Sequence, residues 1–452
     1  MDEIISSILD KINDNDIILA EETLNKFQLH LINVEDYYFI QAFISIKKGN
    51  YTNAWLWCWR GKDLFPEVQE LNQLYIVIDD YLNKGKNTIN DIKWKGKSIK
   101  LNLEFINRLP KSTPPRVLQG SMEIANQMNT LSKGLQMLDV KAHTLNYYPY
   151  YLGYQSNYEW NLIGQRSNPV INSRLRKLTK ELISNYDIFH FHWGTTLTLD
   201  WSDLEILNES QKLLIMQHWG SDVRLFSEAR KLNPYALVKN QNEDDLKWRL
   251  SKLSEHIKHC VVFDEELYHY VNNYYDKTII IPSMIDIEQY KPTIEQVKNS
   301  RPVIAHAPTS PYIKGTKHIL KAIETLKEHY EFDFILVQGK SHKEAMEIYQ
   351  KADLIIDQLH IGSYGLFAVE AMALGKPVIC WISDFMKEKY PKELPIIIAN
   401  PDTIKECIEY SLKNLDMLSE IGKKGRKYVE IHHDMKTNSQ RMLKKYNEIL
   451  QN

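Results

Sequence analysis

The chain has 452 residues, 43% of them hydrophobic, with 58 acidic against 56 basic side chains and a formal net charge of −2. That length allows about three domains with proper cores, and the near-neutral balance excludes a global electrostatic case for a nucleic-acid binder. The four cysteines, Cys58, Cys260, Cys380 and Cys407, lack metal or paired spacing and fit reduced thiols, while an acidic N-terminus and the lack of an uncharged apolar run of ~18 residues predict a cytoplasmic protein.

Residues 1–90 read as an all-α segment of short amphipathic helices broken at Asn13-Asp14-Asn15, Asn33-Val34-Glu35, Gly49-Asn50 and Phe65-Pro66. A helix over 38–48 followed by Gly49, Tyr51, Ala54, Gly61 and Pro66 has the spacing of one tetratricopeptide helix pair. Small Ala54 and Gly61 admit close helix packing. Trp55, Trp57 and Trp59 supply an aromatic surface that is either core or a docking face for a protein partner or an acceptor. Residues 91–114, rich in Lys, Asn, Thr and Pro, read as a linker.

From 115 the pattern changes to strands alternating with helices. In 115–285 strands fall at 116–119, 141–146, 187–192 and 212–217, with helices at 122–138 and 172–185. In 286–452 strands fall at 303–307, 333–337 and 353–359, with helices at 316–330 and 342–351 and closing helices over 419–450. The fold class is α/β, two Rossmann-like halves with substrate in the crevice between them.

The most telling stretch is 362–379, in which one charge, Glu370, sits in an apolar helical run opened by Gly362 and Gly365 and closed by Gly375 and Pro377. Glycines before a helix let a phosphate approach backbone N–H groups at its positive end, and a carboxylate further in accepts hydrogen bonds from hydroxyls. The plain alternative is a buried α/β unit with Glu370 paired to a Lys or Arg. The stretch Gly-Leu-Phe-Ala-Val-Glu-Ala-Met-Ala-Leu-Gly-Lys-Pro-Val resembles the signature of family four of the retaining glycosyltransferases, which have the GT-B fold. The resemblance implies Glu370 on the donor ribose, with the amides of Gly365, Leu366 and Phe367 on its diphosphate. Gly362 stands where that family has a first glutamate against the donor sugar. Asp357, at the preceding strand end, offers a carboxylate nearby, either as a substitute or as a turn cap.

Further groups follow from the same resemblance. Lys314, before Gly315, matches the family's diphosphate lysine or is a solvated loop residue, and Thr316 could cap the next helix. The family's arginine is missing, and His306, Thr309 and Ser310 occupy its region, so hydroxyls would serve the phosphates. His218 stands where many relatives place a histidine beside the reacting sugar. One of His190 and His192 is core; Asp222 and Arg224 form a local pair or bind acceptor. Gly120 lies in the loop where relatives bind acceptor, though one glycine there is also a plain turn requirement.

The resemblance thus implies a metal-independent retaining glycosyltransferase without cofactor. Its donor would be a nucleotide sugar and its acceptor a glycan, a lipid-linked glycan or a protein. The expected setting is bacterial cell-surface polysaccharide or glycoprotein synthesis, in the cytoplasm or peripheral at the inner face of the membrane. The rival readings are an inactive GT-B scaffold that binds a partner through the N-terminal helices, and a sugar-nucleotide epimerase or hydrolase.

Overall fold

The computed structural model describes all residues except 1, 15, 32–33, 49–50, 85–87, 104–113, 150–152, 293–300 and 452. The breaks expected at 15, 33 and 49–50, and most of the Pro-rich end of the linker, lie outside the described residues. The chain divides into one unit of Met1–Lys111 with Ser173–Asn185, and a second of Ser112–Asn172 with Tyr186–Asn452.

The first unit carries the helices Asp2–Asn13, Ile17–Leu31, Glu35–Lys47, Tyr51–Leu64 and Gln69–Lys84. A Cβ on Gly61 would lie 2.7 Å from Tyr38 Cβ, so glycine there sets how closely the third and fourth helices approach. Trp55 and Trp59 are buried and Trp57 is half-buried against Tyr37, so these indoles are mostly core. Two features were not expected. Residues 88–103, read as helix end and linker, form an antiparallel hairpin of β1 (Thr88–Trp94) and β2 (Lys97–Leu103). Its turn is Lys95-Gly96, both left-handed (φ 45° and 81°), the geometry that matches strand twist in two-residue hairpins. The period-two pattern of Ile99, Leu101 and Leu103 was hidden by the Lys and Asn between them. Trp94 anchors the hairpin, stacking 3.8 Å from Phe39 and donating to Asp36 Oδ1 at 2.8 Å. Residues 173–185 also count with this unit: Lys177 pairs with Asp79 at 2.6 Å and the Arg174 guanidinium lies 5.0 Å from the Trp59 ring.

The second unit holds two parallel sheets. The first comprises β3 (Val117–Ser121), β4 (Ala142–Asn146), β5 (Tyr158–Glu159), β6 (Ile188–His192), β7 (Leu213–Gln217), β8 (His259–Val262) and β9 (Lys277–Ile280), in the order β5-β4-β3-β6-β7-β8-β9. The second comprises β10 (Val303–His306), β11 (Asp333–Leu336), β12 (Leu354–Ile356), β13 (Val378–Cys380) and β14 (Ile396–Ile398), in the order β11-β10-β12-β13-β14. The apolar runs of β7, β10, β12 and β13 are what parallel strands covered on both faces require. In each sheet the order reverses beside the first strand, and ligands of such sheets bind outside the strand ends at that reversal. The loops so placed follow β3 and β6 in one half, β10 and β12 in the other.

The helix expected over 122–138 is shorter, Gln127–Gln136, because Glu123 caps it from the preceding loop: Oε1 accepts from Met128 N and Oε2 from Asn129 N. The last helix, Met435–Gln451, packs on the first sheet's core through Met435, Met442 and Tyr446. Tyr446 Oη meets His190 Nδ1 at 2.6 Å. Gly134 makes this approach feasible, since a Cβ there would lie 2.0 Å from Ser439 Oγ.

Candidate active site

A cavity of about 680 Å³ opens at the predicted strand ends. Its wall from the second half is built by the loop after β10, the end of β11 and the start of the helix Leu366–Ala373; Trp219, Arg224 and Tyr154 come from the first half.

Lys314 ends a one-turn helix, Pro311–Lys314, closed by left-handed Gly315 (φ 77°). Its Nζ lies 2.6 Å from Asp357 Oδ1, and Asp357 Oδ2 accepts from Gly365 N at 2.9 Å. Asp357 is fully buried and does not line the cavity. It is therefore not placed to touch a sugar; it holds the ammonium and the glycine loop together. The Gly365 amide, expected on phosphate, is taken by this bond. Among the described residues no hydrogen bond engages the Leu366 or Phe367 amide, as at the start of a helix, and both residues line the cavity. Thr309 is on the same wall, whereas Ser310 lies in an adjoining recess.

Glu370 lines the cavity with its Oε1 shared by His342 Nε2 at 2.8 Å and Tyr290 Oη at 2.9 Å. Its partner is thus neither Lys nor Arg. The bond to Glu370 raises the His342 pKa above the usual imidazole value against the opposing effect of desolvation. Burial, and then Glu370, raise that of the Tyr290 phenol. The ring of Tyr154 stands 6.0 Å from that of His342.

His218 is a correction. It is buried, absent from the cavity wall, and commits both ring nitrogens, Nδ1 to Asp222 Oδ2 and Nε2 to Tyr275 Oη, each at 2.7 Å. Asp222 Oδ1 accepts the amides of Trp219 and Gly220. Burial pushes the Asp222 carboxyl pKa up, but His218 and these amides outweigh it and leave it lowered. His218 thus shapes the loop that presents Trp219 and Arg224. His192 also serves that loop: the Trp219 indole N–H can only donate, so His192 Nδ1 accepts it and Nε2–H donates to Gln119 Oε1. Burial depresses the His192 pKa, as that neutral tautomer requires.

Arg224 pairs with Glu266 and not with Asp222, through Nε at 2.7 Å and Nη2 at 2.7 Å. It brings a guanidinium to a cavity whose lining from the second half has none. His306 faces Ile356 O and Thr316 Oγ1, so it lines no phosphate site, and Thr316 makes no cap bond. Gly120 is buried inside β3, off the cavity wall, with Leu145 O 3.3 Å from where its Cβ would stand. At Gly362 (φ 84°) a Cβ would lie 2.7 Å from Asn233 Nδ2, which donates to His360 O. The backbone there is closed to the glutamate that the resemblance would place.

Tyr290, His342, Tyr154 and the end of β11 were not found from the sequence. Only an apolar helix lacking a partner for Glu370 hinted at them. Among the described residues no group of three or more His, Cys, Asp or Glu is arranged to hold a metal, and no helix is long and apolar enough to cross a membrane.

Residues 313–428 match the family described as glycosyl transferases group 1. Among solved structures the chain is similar to the sucrose-phosphate synthase of Thermosynechococcus elongatus, with 14% identity over 74% of this chain and 99% of that one and a TM-score of 0.55. It is similar to a glycosyltransferase from Rickettsia africae at 16% identity over 75% and 99%, TM-score 0.55. Anabaena HepE, solved in complex with UDP-glucose, gives 11% identity over 74% and 100%, TM-score 0.50. No curated protein matches the chain. At these identities the likeness is one of fold: the chain has the GT-B architecture of two Rossmann-like halves, and its residues 313–428 carry the group 1 glycosyltransferase match.

Proposed function

We propose that this chain is a retaining glycosyltransferase that moves a sugar, a hexose in the family's usual form, from a nucleotide diphosphate sugar to an acceptor hydroxyl. One observation carries the reading: Glu370, Lys314 and the helix-start residues Leu366 and Phe367, whose amides are open, line one cavity. Their spacing along the glycine loop suits a ribose at one end and a diphosphate at the other. In the reaction the sugar C1–O bond to the β-phosphate breaks and C1 bonds the acceptor oxygen on the same face. The acceptor proton passes to the departing diphosphate, whose growing charge Lys314 and the amides stabilise without a metal. The acceptor is taken to be a glycan, a lipid-linked glycan or a protein, within cell-envelope glycan synthesis.

UDP, GDP and dTDP sugars should raise the melting temperature of the native protein, since a ligand of the folded state alone stabilises it. Glu370→Ala should remove that shift while leaving the unliganded melting curve cooperative, and should lower nucleotide release with acceptor by about a hundredfold. A Glu370→Ala protein with unchanged shift and turnover refutes the assignment. The closed backbone at Gly362 favours, as the second reading, a non-catalytic scaffold; it would bind none of these sugars at millimolar concentration.

A further inference from the structure

A recess of about 310 Å³ adjoins the cavity and shares Trp219, Arg224, Thr309 and Lys314 with it. That volume is at the low end of the ~300–1,000 Å³ of small-molecule sites. Its own walls include Trp193, Leu237, Val238 and Lys239, all from the first half.

Two features of the recess are unexplained by the donor site. The first is a charge imbalance. Lys314 is neutralised by Asp357 and Arg224 by Glu266, but among the described residues no hydrogen bond or ion pair engages Lys239. Desolvation at the wall, then Lys314 and Arg224, all lower its pKa, so the charges acting on it are cations. With Lys314 and Arg224 already paired, Lys239 is the cation of this wall left open to an anion. The second is strain. Trp193 holds a left-handed backbone (φ 57°), rare for a bulky side chain, pinned by its N–H to Gln217 O at 2.9 Å. The result is an indole on the recess wall, with Trp219 as a second. Flat indole faces pack against the C–H face of a sugar ring.

We propose that this recess is the acceptor pocket, and that the acceptor is a sugar bearing a phosphate or carboxylate, its ring on Trp193 and its anion on Lys239. The name acceptor rests on the transferase reading above; binding of the anionic sugar does not. The rival anion is the donor's own diphosphate, and the test separates the two.

Calorimetry on the full chain would use glucose 6-phosphate, glucuronate, glucose and, as a separate arm, UDP. Both anionic sugars should bind, and glucose at least about tenfold more weakly. Lys239→Ala should weaken the anionic sugars by about tenfold or more without changing glucose or UDP. Trp193→Leu should weaken all three sugars alike, with Trp193→Phe restoring most of the loss and melting curves checking the fold. If Lys239→Ala weakens UDP and spares the sugars, the cation serves the donor and the proposal is overturned. It is equally overturned if a protein that binds UDP binds neither anionic sugar at millimolar concentration. Failure of Glu370→Ala to weaken UDP would strike the transferase reading instead, leaving the sugar-anion result to stand alone.

Discussion

Glu370 shares one oxygen between His342 and Tyr290, so a ribose hydroxyl that reaches this carboxylate enters an occupied hydrogen-bond set. The His342 pKa is raised in the folded state. The stabilisation from its pair with Glu370 is therefore complete below the unfolded imidazole value of ~6.5 and is lost as pH climbs through the raised value. Donor binding should follow the opposite course, weakening as acid locks the pair. Titrations of UDP across that window should show affinity rising with pH, and His342→Gln should flatten the rise; an equal slope in the variant would remove His342 from the account. The Lys314–Asp357 pair makes a different test, because Asp357 is fully buried. Lys314→Met strands a buried carboxylate and should cost about 3–5 kcal/mol in urea unfolding. Adding Asp357→Asn removes the stranded charge and should recover part of that loss. Equal stability of the single and double variants would show that the ion pair is not what holds the loop.

The glycine loop and the helix Leu366–Ala373 owe their position to a second helix, Leu415–His432, laid across them. Gly422 and Gly425 form the contact: added Cβ atoms would lie 2.0 Å from Gly375 O and 3.1 Å from Met372 Cγ. The obstacle at Gly422 is backbone, which cannot swing aside. Gly422→Ala should cost about 1–3 kcal/mol or more and also weaken UDP, because separating the helices moves Glu370. A loss of stability with unchanged UDP affinity would mean that the helix carrying Glu370 stays in place. Much at this scale was legible beforehand. The strands β3, β4, β6, β7, β10, β11 and β12 and the helix over 342–351 lie where alternation placed them, because buried parallel strands announce themselves as short apolar runs. The hairpin over 88–103 was missed because its pairing depends on a two-residue turn, and the Lys and Asn in its sequence imitate a linker.

In the second unit as a whole, the chain finishes on the half in which it began: Met435–Gln451 supplies Met435, Met442 and Tyr446 to the core of the first sheet. Tyr446 is completely buried, with its hydroxyl against His190. Tyr446→Ala should cost about 3–5 kcal/mol, read as a lower urea midpoint with a cooperative transition. A change below 1 kcal/mol in that experiment, roughly the scale of a surface substitution, would deny the helix this role.

The sequence by itself determined the two Rossmann-like halves and the glycine loop, because these follow from periodicity and glycine positions within a few residues; only the family resemblance pointed Lys314 and Glu370 toward one site. Only the tertiary structure decided which charges are satisfied. It turned His218 and Asp357 inward as supports, brought Arg224 to the cavity from the other half, and gave Glu370 partners 28 and 80 positions away. Such pairings depend on burial and on which distant side chains meet, and neither property is local to the chain.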